Sequence, residues 1–446
     1  MPRLARAAAG LVLLLGLAGQ AGAQPPRAAE APAAAPLSMA AAERLLVERN
    51  LALLAARRGV DAARAQRLVA SSPPPPEVSL GTNLVQGYER RPAEVRMLTP
   101  ADNLTLGLSV VVERGGKRML RTRLAEEQIG VAEALVLDTL RQQVFALRRA
   151  FLGALLARAK LEVALANRAS LDRTEALLRR QAREGQIPEG DLIRLQASRP
   201  VFEAAVASAR QAEAGALAEL AALLGADAAA RPGFDISGRL DRTPGLGLSR
   251  EQLAEAAAQR ADVVAAARQA AAAAANRALA EAARSRDVTL GLNLGRGEVD
   301  RTLPGGAGQR VVQSQAGVSV SVPIFTSRIV EGNVGLATAQ QGQAEAQARA
   351  ALLQARADVA AAWAAYEQAR ALLSVFDGGA LRRAEEAYAI AERAYLAGGR
   401  SLVEVLDALR TLNETRIAAS EARHAYLLAL AELERASGVS GVAARP

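Results

Sequence analysis

The sequence predicts a mainly α-helical chain that carries membrane-type β-strands and repeats one structural plan twice. Three observations predict it. Alanine-rich helical patterning runs for about 70 residues at a stretch. Four short segments alternate apolar with small or polar residues. Helix, strand pair, long helix and return helix also recur in the same order in both halves. Composition agrees, since 51% of the 446 residues are hydrophobic but only 3% are aromatic. Alanine is the best helix former, and small side chains let helices pack closely. A thick globular core would draw much more of its buried area from aromatic rings.

The leader comes first. Arg3 and Arg6, the apolar run Leu11 to Ala18 and the small residues Ala21-Gly22-Ala23 form a charged, then hydrophobic, then cleavable segment, so residues 1–23 are expected to be a signal peptide. The apolar run is about half the length a membrane-spanning helix needs. Residues 24–37, rich in Pro and Ala, are expected to be disordered.

The first repeat is expected over 38–225: a helix at 38–70, strands at 77–88 and 103–113, a long helix at 114–183 and a return helix at 189–225. A Pro- and Gly-rich connector at 226–248 separates it from the second repeat at 249–437. That repeat holds a helix at 249–283, strands at 287–296 and 315–326, a long helix at 327–397 and a return helix at 401–437, before a tail at 438–446. Corresponding elements lie about 212 residues apart. Asp377-Gly378-Gly379 predicts a bend in the second long helix.

Each strand has one apolar face. Leu104, Leu106, Leu108, Val110 and Val112 alternate with Thr105, Gly107, Ser109 and Val111. Val288, Leu290, Leu292 and Leu294 alternate with Thr289, Gly291, Asn293 and Gly295. Val78, Leu80, Thr82, Leu84 and Val318, Val320, Val322 continue the theme. A soluble antiparallel sheet has the same period. Export, small residues on the opposite face and the lack of an element to cover the apolar face favour a membrane barrel instead. Four strands cannot close such a barrel, and open edges in hydrocarbon leave backbone groups unpaired, so several chains must share one.

The helices read as helix against helix. Each 70-residue helix would reach about 100 Å. Leu135, Leu140, Val144, Leu147, Leu152 and Leu155 in the first long helix recur at three and four, as do Leu402, Val405, Leu406, Leu409 and Leu412 in the second return helix. Trp363, Tyr366 and His424 fall on helical patterns as packing residues.

The composition also excludes classes. No cysteine is present, which removes disulfides, thiol nucleophiles and zinc ribbons, and a single histidine, His424, makes a catalytic triad or His-rich metal site implausible. The net charge of +9 is dispersed, with no basic block interleaved with aromatics, which argues against nucleic acid. No nucleotide loop, cofactor motif or metal-ligand cluster appears, so the chain is not expected to be an enzyme.

With these features in place, the chain resembles the TolC family of outer-membrane efflux proteins over nearly its whole length. Tyr395-Leu396-Ala397-Gly398-Gly399-Arg400-Ser401-Leu402-Val403-Glu404-Val405-Leu406-Asp407-Ala408 is similar to the family's second periplasmic turn. Glu184-Gly185-Gln186-Ile187-Pro188-Glu189-Gly190-Asp191-Leu192 is similar to the first, and Val322-Pro323-Ile324-Phe325 to the end of the last strand.

The resemblance implies a homotrimer whose twelve-stranded barrel, four strands per chain, sits in the outer-membrane lipid and continues as an α-helical barrel across the periplasm. It implies a passive exit duct that works with a periplasmic adaptor and an inner-membrane pump. Glu404 and Asp407 fall on the family's acidic pore gate, although Glu404 stands where the family has Asp. Tyr395 and Arg400 fall on its latch, with Asp191 as a partner. Gly185, Pro188, Gly398, Gly399 and Ser401 lie on the turns expected to meet the adaptor.

Read from the residues alone, Glu404 and Asp407 are equally a solvated helix face, Gly185, Gly398 and Gly399 are turn glycines and Ser401 is an N-cap. Glu113-Arg114-Gly115-Gly116-Lys117-Arg118 resembles the cobalt-zinc-cadmium branch, which points to heavy-metal cations. Drugs and secreted polypeptides stay open as cargo. The rival is a periplasmic adaptor or structural coiled-coil protein, which would show one helical hairpin rather than two.

Overall fold

The structure is a computed structural model describing residues 36–82, 103–184, 188–225, 234–302 and 308–443. The expected leader, the far end of the first strand with Leu84, Gly185 and the start of the connector lie outside the described residues.

Ser38 opens the first helix, its hydroxyl accepting from the Ala41 amide at 3.3 Å. The single helix expected at 38–70 is two, α1 (Met39–Arg49) and α2 (Leu51–Ser71). Asn50 breaks it. Its backbone is extended, its side-chain oxygen accepts from the Leu53 amide at 3.0 Å, and its side-chain amide donates to the Leu223 carbonyl at 3.0 Å and to Gln143 at 3.1 Å. Asn competes with the helix for backbone hydrogen bonds, and here it also satisfies a carbonyl left over at another helix end.

The second half breaks at the corresponding place. The helix expected at 249–283 is α5 (Arg250–Ala256), a 3₁₀ turn (Ala257–Gln259) and α6 (Ala261–Ala282), split at extended Arg260. Arg260 donates to the Ala436 carbonyl at 3.0 Å. Two different side chains thus cap the C-terminal ends of the two return helices, α4 (Glu189–Leu223) and α9 (Leu402–Ser437).

Between these lie β1 (Glu77–Thr82), β2 (Asn103–Val112) and α3 (Lys117–Arg183) in the first half. The second half has β3 (Val288–Thr302), β4 (Gly308–Ser321), α7 (Ser327–Val375) and α8 (Leu381–Leu396). At 67 residues α3 is about 100 Å long. The expected bend is a π turn, Phe376–Ala380, with Gly379 at φ 94°, a conformation that glycine adopts without a side-chain clash.

β3 and β4 run further than the hydropathy pattern, because their outer ends pair through the backbone whatever the side chains, as in Arg301 opposite Gln309. β4 stops at Ser321 rather than 326: Pro323 has no amide to donate, and Phe325 turns to φ 56°. The strands form one antiparallel sheet in the order β1-β2-β3-β4.

Phe151, Phe234, Trp363, Tyr366 and Tyr426 lie where the helices thicken into a core. Phe151, Leu147, Leu152 and Leu155 of α3 pack with Met39, Leu46, Leu430 and Leu433. Along 147–157 almost every α3 residue is buried, because α1, α9 and the connector enclose it on several sides rather than along one seam. Leu135, expected in that seam, is exposed: it lies short of the enclosed stretch.

Trp363, Tyr366 and Tyr426 meet as tilted rings with centroids 5.7 and 5.6 Å apart, and the Tyr426 hydroxyl donates to the Pro244 carbonyl at 2.7 Å. Burial, aided by the Tyr366 hydroxyl, pushes Tyr426 up to about 12. The connector is pinned rather than loose. Ile236 bridges Leu37, and Arg158 donates to the Ile236 carbonyl at 2.6 Å while pairing with Asp235 and Glu213. Buried Arg148 joins Glu43 of α1 at 2.8 Å and Glu434 of α9 at 2.7 Å.

Candidate functional site

The residues singled out in the sequence lie at two ends of the molecule. At the sheet end, the register aligns the apolar alternation across all four strands. Leu80, Leu106, Leu294 and Ala316 form one row, and Val78, Leu108, Leu292 and Val318 the next; Val110, Leu290 and Val320 follow. This face is open. Leucines of the central strands are 41–46% exposed, whereas Val78 at one edge and Val318 at the other reach 72% and 81%, since each edge lacks a neighbouring strand.

The opposite face is small and polar. Gly107 stands between Ser79 and Asn293, and a Cβ there would collide with the Ser79 hydroxyl; at Gly81 it would lie 2.9 Å from the Thr105 hydroxyl. Small residues on one face and branched apolar ones on the other are what a lipid-facing wall around an aqueous lumen requires.

The strand-to-helix junction is clamped between repeats. Asp287, before β3, accepts from the Arg114 amide at 3.0 Å and from Lys117 at 2.9 Å. Burial opposes its charge, but that amide and ammonium hold it below the ordinary aspartate range. Glu113 pairs with Arg121. Gly115 and Gly116 turn the chain at φ 73° and 67°, and a Cβ on Gly115 would lie 2.7 Å from Ser285 Cβ.

At the other end are the two helical turns. Pro188 starts α4 without needing an amide donor, and Glu189 and Asp191 occupy its first turn, where carboxylates favour the helix dipole. α8 ends in a Schellman motif: Gly398, at φ 74°, donates to the Tyr395 carbonyl at 2.9 Å and Gly399 to that of Ala394 at 2.9 Å. Ser401 holds the N-cap position of α9, yet its side chain makes no capping hydrogen bond.

On α9, Leu402, Val405, Leu409 and Leu412 are buried while Glu404 and Asp407 share the exposed face. Arg400 donates to Glu404 at 2.7 Å. Tyr395 packs against Leu171, Leu178, Leu195 and Leu402, joining the two hairpins. Its hydroxyl is buried with no hydrogen-bond partner, and burial together with the charge of Asp191 raises its pKa. The structure therefore brings Tyr395 and Asp191 together across the hairpins and ties Arg400 to Glu404 within one.

One cluster here went unforeseen. Glu175 of α3, 4% exposed, accepts from Arg179 at 2.5 Å, Gln196 at 3.1 Å and Arg199 at 2.8 Å, and Arg199 also reaches Asp172 at 3.0 Å. Burial alone would raise the Glu175 pKa, but Gln196 and the two arginines bring it below the ordinary range. The Glu175–Arg179 spacing of four is visible in sequence; the partners across the turn are not. His424 is half-buried, and burial with the nearby Lys160 lowers its pKa, in keeping with a packing residue. Among the described residues no group of three His, Cys, Asp or Glu side chains could hold a metal ion.

A four-stranded sheet with one open apolar face, set on long helices of which α3 reaches about 100 Å, is the architecture of a β-barrel and α-barrel subunit. Comparison agrees. Residues 253–439 match the model of the outer membrane efflux protein family.

No curated protein sequence matches. Among solved structures the fold is similar to CusC, with a TM-score of 0.71, 20% identity and coverage of 90% of this chain and 91% of that one. It is also similar to VceC of Vibrio cholerae (0.67, 21%, 90% and 96%) and to the open state of the MtrE outer membrane channel of Neisseria gonorrhoeae (0.68, 20%, 90% and 89%). At these identities the likeness is one of fold.

Proposed function

We propose that three copies close one twelve-stranded barrel and act as the passive exit duct of a tripartite efflux system, docking their helical turns on a periplasmic adaptor fed by an inner-membrane pump. The observation that carries this reading is the four-stranded sheet with two open edges and one continuous apolar face. Unpaired edge groups cost several kcal/mol each in hydrocarbon, and pairing β4 of one copy with β1 of the next removes every edge. Two hairpins per chain, joined by the Tyr395 cluster, then supply the tunnel wall.

Glu404 and Asp407 are the gate in this reading. Repeated by symmetry on the exposed face of α9, they would make a negative constriction that favours cations. Arg400 offsets part of the Glu404 charge, so Asp407 contributes more to the field. Tyr395, Asp191 and Arg400 form the latch, and Pro188, Gly398, Gly399 and Ser401, with Gly185, form the adaptor-facing tip.

Heavy-metal cations as cargo rest only on the likeness of segment 113–118. Its side chains brace the junction, which leaves cargo choice to the pump.

Single-channel conductance of the purified protein in planar bilayers tests the proposal, comparing wild type with Glu404→Ala/Asp407→Ala. A small cation-selective conductance that enlarges or loses selectivity in the variant is expected. Indistinguishable channels overturn the gate, and a folded, inserted oligomer that conducts nothing overturns the duct.

A further inference from the structure

Arginines stand near both ends of the apolar face of the sheet. On the outward-facing row beyond Leu294 and Leu106, Arg296 lies opposite Leu104 on one side and Ser314 on the other. At the helical end the last paired row is Val112 with Val288. Continuing that antiparallel register by two residues sets Arg114 against Arg286, and the Arg114 amide, donating to the Asp287 side chain, keeps the two segments adjacent.

The guanidinium groups of Arg114 and Arg286 are exposed and, among the described residues, neither they nor Arg296 make an ion pair. From 286 to 296 the strand advances about 33 Å. Tilted as barrel strands are, that is about 25 Å of height, the thickness of the apolar band of an outer-membrane barrel.

Aromatic girdles normally hold such a band at the two interfaces. The described strands here contain no Trp, Tyr or Phe. The central strands β2 and β3 carry Arg114 and Arg286 at their ends, away from the β1 and β4 edges that neighbouring copies would cover.

We propose that Arg114 and Arg286 clamp the phosphate of an anionic phospholipid in the periplasmic leaflet, and so set the depth of the channel in the membrane. The inference rests on the barrel reading above. The chemistry is direct. Two exposed guanidinium groups in adjacent strands present forked donors to one phosphate, at the level where the apolar wall ends. Asp287 is paired with Lys117 and Glu113 with Arg121, so these two carboxylates of the junction are already neutralised.

The test uses the full-length channel in phosphatidylcholine nanodiscs containing a minor fraction of phosphatidylglycerol, with native mass spectrometry counting retained lipids. Each arginine near a membrane surface is worth about five-fold in anionic-lipid affinity, so Arg114→Gln/Arg286→Gln should lower phosphatidylglycerol retention about thirty-fold. Arg114→Lys/Arg286→Lys should keep much of it. If wild type inserts as an oligomer but binds phosphatidylglycerol no better than the Gln variant, the clamp is refuted while the barrel stands. If wild type assembles no oligomer in any lipid, the barrel reading falls, and the clamp with it. Retention that depends on Arg296 and not on this pair also refutes the proposal.

Discussion

Arg260→Ala probes how the second repeat is held together. The Arg260 side chain, 3% exposed, reaches Asp262 at 2.6 Å, Asp358 at 2.9 Å and the Ala436 carbonyl at 3.0 Å, joining α6, α7 and the end of α9. Breaking a fully buried pair costs about 3–5 kcal/mol. Here Asp262 and Asp358 keep 30% and 20% of their side-chain exposure, Arg141 remains 3.8 Å from Asp262, and Gln354 still donates to Asp358 at 2.8 Å. Those remnants bring the charge part down to about 2 kcal/mol, and the orphaned helix-end carbonyl adds about 1 kcal/mol. The total of about 3 kcal/mol is about a hundred-fold in the local opening equilibrium.

Acid dependence gives a second readout. Burial alone would raise Asp262 and Asp358, but Arg260 holds Asp262, and Gln354 together with Arg260 holds Asp358, below the ordinary aspartate value of 3.8. Groups with depressed values stabilise the fold above the unfolded value, and that stabilisation is lost as pH falls through the folded one. The gap between wild type and variant should therefore be full at pH 7 and shrink below about pH 4. Trp363, the sole tryptophan and five residues from Asp358, reports unfolding by fluorescence. Hydrogen exchange should accelerate at the start of α6 and the end of α9. A variant within about 0.5 kcal/mol of wild type, or a gap that does not change with pH, would refute the reasoning.

Three further substitutions separate other causes. Gly116→Ala meets only the left-handed backbone cost of about 1–2 kcal/mol, whereas Gly115→Ala adds contact with Ser285, so the thermal midpoint should fall clearly more for Gly115→Ala. Phe151→Ala, at a fully buried site, should cost about 3–5 kcal/mol in denaturant unfolding, and a loss under about 1 kcal/mol would mean the core collapses around it. Arg400→Ala frees Glu404 and should raise cation selectivity in bilayers; unchanged selectivity would place Glu404 away from the pore.

Much of the architecture was legible because it follows from local rules. Alternation in 104–112 and 288–295 needed no tertiary knowledge, since a strand must put every second residue on one face. Glycine at 398 and at 379 announced a turn and a helix irregularity through backbone freedom alone. The breaks at Asn50 and Arg260 were not legible, because helical patterning continues through both and only a distant carbonyl, Leu223 or Ala436, makes the break worthwhile. At the tip, Tyr395, Arg400, Glu404 and Asp407 were found by likeness to a motif rather than by their chemistry. Arg400 and Glu404 are four apart, and so a visible pair; Tyr395 near Asp191 is not.

By itself, then, the sequence determined which segments are helix and strand and the order in which they recur. Both follow from periodicity. Only the tertiary structure decided that the four strands share one register, that the middle of α3 is enclosed and Leu135 is not, and that Glu175, Arg148 and Arg260 are buried charges with partners. Those outcomes depend on contacts between residues far apart in the chain, where the energy of a buried charge is set by whichever groups the fold brings to it.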